Sequence, residues 1–211
     1  MLKETGNKSL TGAILAGGEN RRMNGQAKAL LPFSGELLIE RQIRELQRIC
    51  SEVMVVTNEP ELYLPILDSA VRVISDIYPR NGPLSGIHSV LTQSSYEDVW
   101  IVACDMPFIS AKAAKWMQVR KSELKVDAVI PISFTKIHSL HGIFTKCCME
   151  PISGMLEAGE YHVMELLKKV NWFAADEIFF HEKGLDMIFT TNVNTYEDYL
   201  QALILLQGLD V

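Results

Sequence analysis

The chain has 211 residues, enough for one well-buried core, and its 48% hydrophobic and 22% charged content is that of a globular rather than a disordered protein. Twenty-six acidic residues against 20 basic ones leave a formal net charge of −6, which argues against a general nucleic-acid binder. No apolar run approaches membrane-spanning length, and the polar opening MLKETGNKSL lacks the apolar centre of a signal peptide. Cys50, Cys104, Cys147 and Cys148 contain no C-x-x-C pair, so the expectation is a cytoplasmic protein with reduced thiols, without a nucleic-acid or membrane partner.

Residues 1–10 read as a flexible polar tail and 11–211 as a single domain. TGAILA (11–16) is a short apolar run closed by Gly17-Gly18, the pattern of a strand ending in a loop. Within residues 1–35, Lys3, Lys8, Arg21, Arg22 and Lys28 face only Glu4 and Glu19, so positive charge gathers around that loop in an otherwise acidic chain. Leu38, Ile39, Gln42/Ile43, Leu46 and Ile49/Cys50 recur at helical spacing, which predicts an amphipathic helix over 36–50. VMVV (53–56), closed by Thr57-Asn58-Glu59-Pro60, and VRVI (71–74), ending at Asp76, are the next strands. YPRNGPLSG (78–86) reads as a loop that leads into a helix over IHSVLTQS. VWIVAC (99–104) is an almost unbroken apolar run ending at Asp105, as expected of a strand covered on both faces.

Ser110 is placed to cap a helix over AKAAKWMQVRKS. DAVIPI (127–132) and LHGIF (140–144) are strands, 147–158 and 163–169 helical, and WFAA (172–175) a short strand. Thr195-x-x-Asp198 heads a last helix to about residue 207 in capping-box style. Strands alternating with helices predict a single-domain, Rossmann-like, three-layer α/β/α sandwich with a mostly parallel sheet.

In such a sheet ligands bind beyond the carboxyl ends of the strands, where three loops converge: 16–28, Asp76–Gly86 and Cys104-Asp105. Glycines 17 and 18 admit close backbone approach, and Arg21, Arg22 and Lys28 supply donors for phosphate oxygens. A solvated turn explains that loop alone equally well, and neither G-x-G-x-x-G nor a Walker A pattern is present. Asp105, at the end of an apolar strand, is suited to a Mg²⁺ that a polyphosphate shares, although a turn aspartate before Met106-Pro107 has the same appearance. His88, His138, His141, His162 and His181 are scattered and read as surface or core residues rather than metal ligands. Ser85 has no G-x-S-x-G elbow, Trp100, Trp116 and Trp172 read as packing, and FTTNVNT (189–195) fits turn and N-cap chemistry.

LAGGENRRMNGQAKALLPFSGELLIER resembles the nucleotidyltransferase signature, L-A-G/A-G-x-x-x-R-M followed by a lysine. ISD (74–76), GPLSGI (82–87), CDMPFI (104–109), HSLHGIF (138–144), AGEYHVMELL (158–167) and FTTNVNT follow in the order of the molybdenum cofactor guanylyltransferases, so the resemblance runs from residue 11 to about 200. It implies the nucleotidyltransferase type of the α/β/α fold, Mg²⁺ as cofactor, and transfer of GMP from GTP to the terminal phosphate of molybdenum-loaded molybdopterin with release of pyrophosphate. Carried over by position, it implies that Leu15, Ala16 and Gly17 lie against guanine and ribose, with Gly18 at the turn. Arg22 and Lys28 would face the triphosphate, Asn58 and Asp76 would touch base or sugar, and Gly82, Pro83 and Leu84 would lie beside the base. Asp105 matches the magnesium aspartate, and Asn192 and Asn194 match an N-x-N element near the metal and the second substrate. Arg22, Lys28 and Asp105 are thereby the catalytic set. Proteins that deliver the cofactor or mature molybdoenzymes are implied as partners. LAGG with GPLSG is similar to the guanine-using branch.

The chain departs from the family pattern at Ala27, where an acidic residue commonly precedes the lysine, and at Ser139, where proline is usual. Glu19 places a negative charge inside the loop, and Tyr161-His162 stands where relatives often carry a basic pair. Two other readings fit the same residues: transfer to another acceptor or from another base (CTP-dependent molybdopterin or sugar-phosphate type), and a GTP-binding partner protein without turnover.

Overall fold

The computed structural model describes residues 9–17, 27–79 and 81–209. The chain opens with β1 (Leu10–Leu15), a small ribbon of β2 (Pro32–Phe33) and β3 (Glu36–Leu37), and α1 (Leu38–Gln47). Then come β4 (Glu52–Val56), β5 (Val71–Ile74), α2 (Gly82–Gln93), β6 (Asp98–Ala103) and α3 (Ala111–Leu124). The second half contains β7 (Ala128–Ser133), β8 (Lys136–Ile137), β9 (His141–Thr145), α4 (Met149–Glu157), α5 (Val163–Leu166), β10 (Trp172–Ala175), α6 (Glu177–His181) and α7 (Tyr196–Leu209).

The main sheet runs β10-β7-β9-β6-β1-β4-β5, with β8 hairpinned onto β7. β1 is parallel to β4 and β6, β4 to β5, and β10 to β7, whereas β9 runs against both β6 and β7. Alternate residues of each strand feed opposite faces. Ile14 packs with Ile39, Leu46 and Met117 on the α1/α3 side, while Ala13 and Leu15 pack with Leu84, Ile87 and Ile152 on the α2/α4 side. The three-layer expectation holds, and Val99, Trp100, Ile101 and Val102 are all fully buried, as a central strand requires.

Local differences have physical causes. The segment expected as loop through residue 86 is already helix from Gly82. Gly82 takes a left-handed φ of +67°, Pro83 occupies the first turn, and Ser85 Oγ donates to the Tyr78 carbonyl (2.6 Å), tying the helix start to the loop. Helix α1 starts two residues later than its periodicity, because Glu36 and Leu37 pair with Phe33 and Pro32. Ser110 caps α3 by accepting from the Ala113 N–H (3.2 Å). Thr195 and Asp198 bond reciprocally at the head of α7 (2.9 and 3.1 Å). Among the described residues no helix is long and apolar enough to cross a membrane.

The chain moves outward from β1 to β4 and β5, then returns to place β6 on the other flank of β1. That reversal opens a crevice at the carboxyl ends of β1 and β6.

Candidate active site

Backbone hydrogen bonds continue past the strands and bring their ends level. The Ala16 N–H donates to Val56 O (2.8 Å), Cys104 N–H to Leu15 O (3.1 Å) and Thr57 N–H to Ile74 O (2.9 Å). Ala16-Gly17, Asn58, Asp76 and Asp105 therefore emerge along one edge of the sheet.

Four side chains from remote parts of the sequence meet beyond β6. Lys28 Nζ lies 3.3 Å from Asp105 Oδ2 and donates to Asn194 Oδ1 (3.1 Å). Asn192 Nδ2 donates to the other Asp105 oxygen (2.9 Å). The Lys28 and Asp105 side chains are each 17% exposed, so the pair is shielded yet reachable. The N-x-N spacing has a simple origin. Val193 is buried among Phe33, Leu38, Phe108, Ala202 and Leu206, and its N–H donates to the Asp105 carbonyl (2.7 Å). With the middle residue turned into that small core, the two asparagines are left for the site. Asp198 accepts from the Asn194 and Thr195 N–H groups, which hold its carboxyl below the usual range and anchor Asn194 to α7.

Helix α1 clamps the turn that carries Asp105. Gln42, fully buried, donates from Nε2 to Ala103 O and Met106 O (2.9 Å each); Arg41 Nε donates to Pro107 O (2.9 Å), and Glu45 accepts from the Ala111 N–H (2.7 Å). Sequence reasoning used Gln42 only for its helical spacing; a polar residue on the apolar face of α1 was the signal. At Cys104, next to Asp105, burial and the neighbouring carboxylate push the thiol up to about 12, away from the thiolate form a nucleophile needs.

A second group lies beyond β4 and β5. Asn58 Nδ2 donates to Asp76 Oδ2 (3.1 Å), while Asp76 Oδ1 is buried without a partner among the described residues. Burial pushes the Asp76 carboxyl up, and the Asn58 bond offsets part of this. A Cβ on Gly86 would fall 3.2 Å from Leu15 Cδ2 and 3.5 Å from Asp76 Oδ1, so α2 packs closely on the strand ends here and a larger residue would have to shift the Leu15 side chain. A Cβ on Gly17 would come within 4.0 Å of Asp76 Oδ2, which puts the glycine turn beside this carboxylate. Gly82 and Pro83 are exposed at the start of α2; the Leu15 and Leu84 side chains are buried in the core, which leaves their main chains for any ligand. Gly18, Arg21 and Arg22 lie outside the described residues.

The histidines are core or surface residues, as expected. His141 is fully buried between Trp100 and Phe189, and burial pushes its imidazole down to about 3; His138, bonded to Ser133, goes to about 4. His162 and His181 are exposed.

Among the described residues no group of three or more His, Cys, Asp or Glu could hold a metal. What is present is one carboxylate and two carboxamides, hard oxygen ligands, with the Lys28 ammonium and the Asn192 amide standing where a cation would sit on Asp105. Such a set fits a hard divalent cation that takes its remaining ligands from phosphate and water.

The MobA-like NTP transferase domain is matched over residues 12–172. The chain belongs to that family. It is 34% identical over 200 residues to a probable molybdenum cofactor guanylyltransferase of Pelotomaculum thermopropionicum, covering 94% of each chain. To one of Clostridium perfringens it is 32% identical over 191 residues, covering 89% of this chain and 92% of the relative. The fold is shared with the molybdopterin-guanine dinucleotide biosynthesis protein A of Archaeoglobus fulgidus at a TM-score of 0.82 and 20% identity, over 94% of this chain and 99% of that one. Within this family fold, Gly17 and the β6 aspartate lie on the same edge.

Proposed function

We propose that the protein transfers GMP from GTP to the terminal phosphate of molybdopterin, releasing pyrophosphate, with residues 11–211 acting as one nucleotidyltransferase unit. The observation that carries this is the meeting of Lys28, Asp105, Asn192 and Asn194 in the β1/β6 crevice. Asp105, with the asparagine oxygens, would hold Mg²⁺, which when bound neutralises charge on the reacting phosphates. Lys28, released from Asp105, donates to the phosphate oxygens where charge builds, and Arg22 is assigned to the same triphosphate. No protein nucleophile is needed, because the acceptor's own phosphate attacks; the chain's task is positioning and charge neutralisation.

The nucleoside is assigned to Ala16-Gly17, the start of α2 and the Asn58–Asp76 pair. The buried Asp76 oxygen, without a partner among the described residues, would accept from the adjacent N1–H and N2–H₂ donors of guanine, a donor pair that adenine and cytosine lack. The four reduced cysteines accord with a cytoplasmic enzyme.

Pyrophosphate release with GTP, CTP or ATP, each with Mg²⁺ and molybdopterin, tests the reading. Release is expected only with GTP and molybdopterin together. Release with CTP, or with a sugar phosphate in place of the pterin, would move the protein to another branch. GTP binding without release would make it a binding protein.

A further inference from the structure

The β7–β8 hairpin rises from the same edge and has no part in the chemistry above. Its strands close at Ser133 opposite Lys136, so Phe134-Thr135 is a two-residue turn. Phe134 takes a φ of +51°, at a position that tight hairpins normally give to glycine, asparagine or aspartate. A side chain with a Cβ is disfavoured there, and this ring is also 91% exposed. The turn is nevertheless firmly held. Glu177 accepts from the Phe134 N–H (2.9 Å), Ser133 Oγ and His138 Nε2 lie 2.7 Å apart, and the His138 N–H donates to Pro131 O (3.0 Å). The result is a bare aromatic face on a fixed support.

Sheet register puts the hairpin on the edge that carries the reacting centre. Trp100 of β6 and Val129 of β7 both face Ile143 of β9. Asp105 lies five residues beyond Trp100 and Phe134 five beyond Val129, on strands that run in the same direction. Both segments therefore leave the sheet on the same edge, from strands two spacings or about 10 Å apart. The segment 138–140 lies between them, joined to β6 by the Ala103 N–H bond to Leu140 O (2.9 Å).

We propose that Phe134 is a stacking face for the flat heterocycle of the acceptor, a pterin whose ester phosphate reaches the Lys28–Asp105 pair. The proposal rests on the acceptor assigned under the function above. In such an acceptor the phosphoester and a pyran ring separate the phosphate from the pterin plane by a comparable span. Aromatic stacking of a heterocycle contributes enough to set acceptor affinity and is indifferent to the nucleotide.

Phe134→Gly is the informative variant, because glycine suits the turn and keeps the hairpin folded. Molybdopterin binding is read by titrating its pterin fluorescence, and turnover by pyrophosphate release. The Kd and KM for molybdopterin are expected to rise about tenfold, the loss of one stacking contact, while the KM for GTP and kcat stay within about twofold. Phe134→Tyr is expected to restore acceptor affinity. Unchanged molybdopterin affinity in Phe134→Gly overturns the proposal. A wild-type protein that binds molybdopterin without turnover refutes the function, yet its titration still decides Phe134. A wild-type protein that binds no molybdopterin refutes the acceptor and the stacking face together.

Discussion

The two ends of the crevice are built differently. At the β6 end both oxygens of Asp105 are engaged, by Lys28 and Asn192, and the turn beneath is fixed by Gln42. At the β5 end Asp76 has, among the described residues, one bond, to exposed Asn58, and one buried oxygen with none. The first is a preformed electrostatic centre whose own amine and amide hold its geometry. The second is an unmet acceptor, whose desolvation is offset only when something donates to it. Chemistry belongs where positions are fixed in advance, and recognition where a demand is left open.

The sharpest way to break this contrast is to remove the fixed charges. Lys28→Ala and Asp105→Ala are each expected to lower pyrophosphate release by about 10²–10³, the usual loss for one donor or ion site that stabilises a transition state. Their melting temperatures should stay near wild type, since a partly exposed ion pair adds little to stability. Near-normal release from either folded variant would remove the β6 end from catalysis.

Acid probes the support under that end. His141 pairs with Val102 of β6 and packs on Phe189, which leads into the Asn192–Asn194 segment. Burial holds its folded pKa near 3, against 6.5 for the free side chain, so between those values the unfolded chain binds the extra proton. Its contribution is fully present above pH 6.5 and is lost as the pH falls toward 3, at about 1.4 kcal/mol per unit or roughly 2 kcal/mol by pH 5. Denaturant titrations from pH 7 to 5 should show that slope, and His141→Phe should flatten it. An equal slope in the variant would put the acid lability elsewhere, His138 being the next group.

Gln42→Met tests whether the turn must be held. The substitution preserves volume and removes both donors to Ala103 O and Met106 O. A fall in kcat of about tenfold with an unchanged KM for GTP is expected, together with a stability loss of about 1–2 kcal/mol. Unaltered kcat would mean that Lys28 and Asn192 suffice to place the carboxylate.

Much of this was legible before any coordinates. Lys28 stood out as a cation following a glycine pair and Asp105 as a carboxylate ending an apolar strand, and the strand-end rule joined their loops; Asn192 and Asn194 entered only through the family resemblance, since their own residues read as turn and N-cap chemistry. Gln42 stayed hidden because its partners are carbonyls, which every residue has and no side-chain pattern marks. The start of α2 was misread for a related reason: Gly82 and Pro83 look like loop punctuation, but a proline in the first turn begins a helix as readily as it ends one. The reversed direction of β9 left no trace, since an apolar strand buried on both faces has the same composition either way. Pairs as short as β2–β3 exist only because α7 and Phe108 cover them.

Asp76→Asn addresses the open end, and its value lies in opposite signs. Burial raises the Asp76 carboxyl, so in the free protein the charged form is a cost that grows as the pH rises above the unfolded pKa. An asparagine relieves that cost, and the free protein should melt slightly higher at pH 7. If the buried oxygen serves guanine, the same change replaces one of its acceptor sites by a donor, and the KM for GTP should rise about fivefold with kcat preserved. GTP affinity of the wild type should also begin to fall on acidification at a higher pH than an ordinary carboxylate would give. A structural residue would move stability and affinity together; a recognition residue moves them apart. Loss of stability and GTP affinity in parallel would therefore return Asp76 to the scaffold and leave the base to be read by the main chain around Gly17 and Gly82.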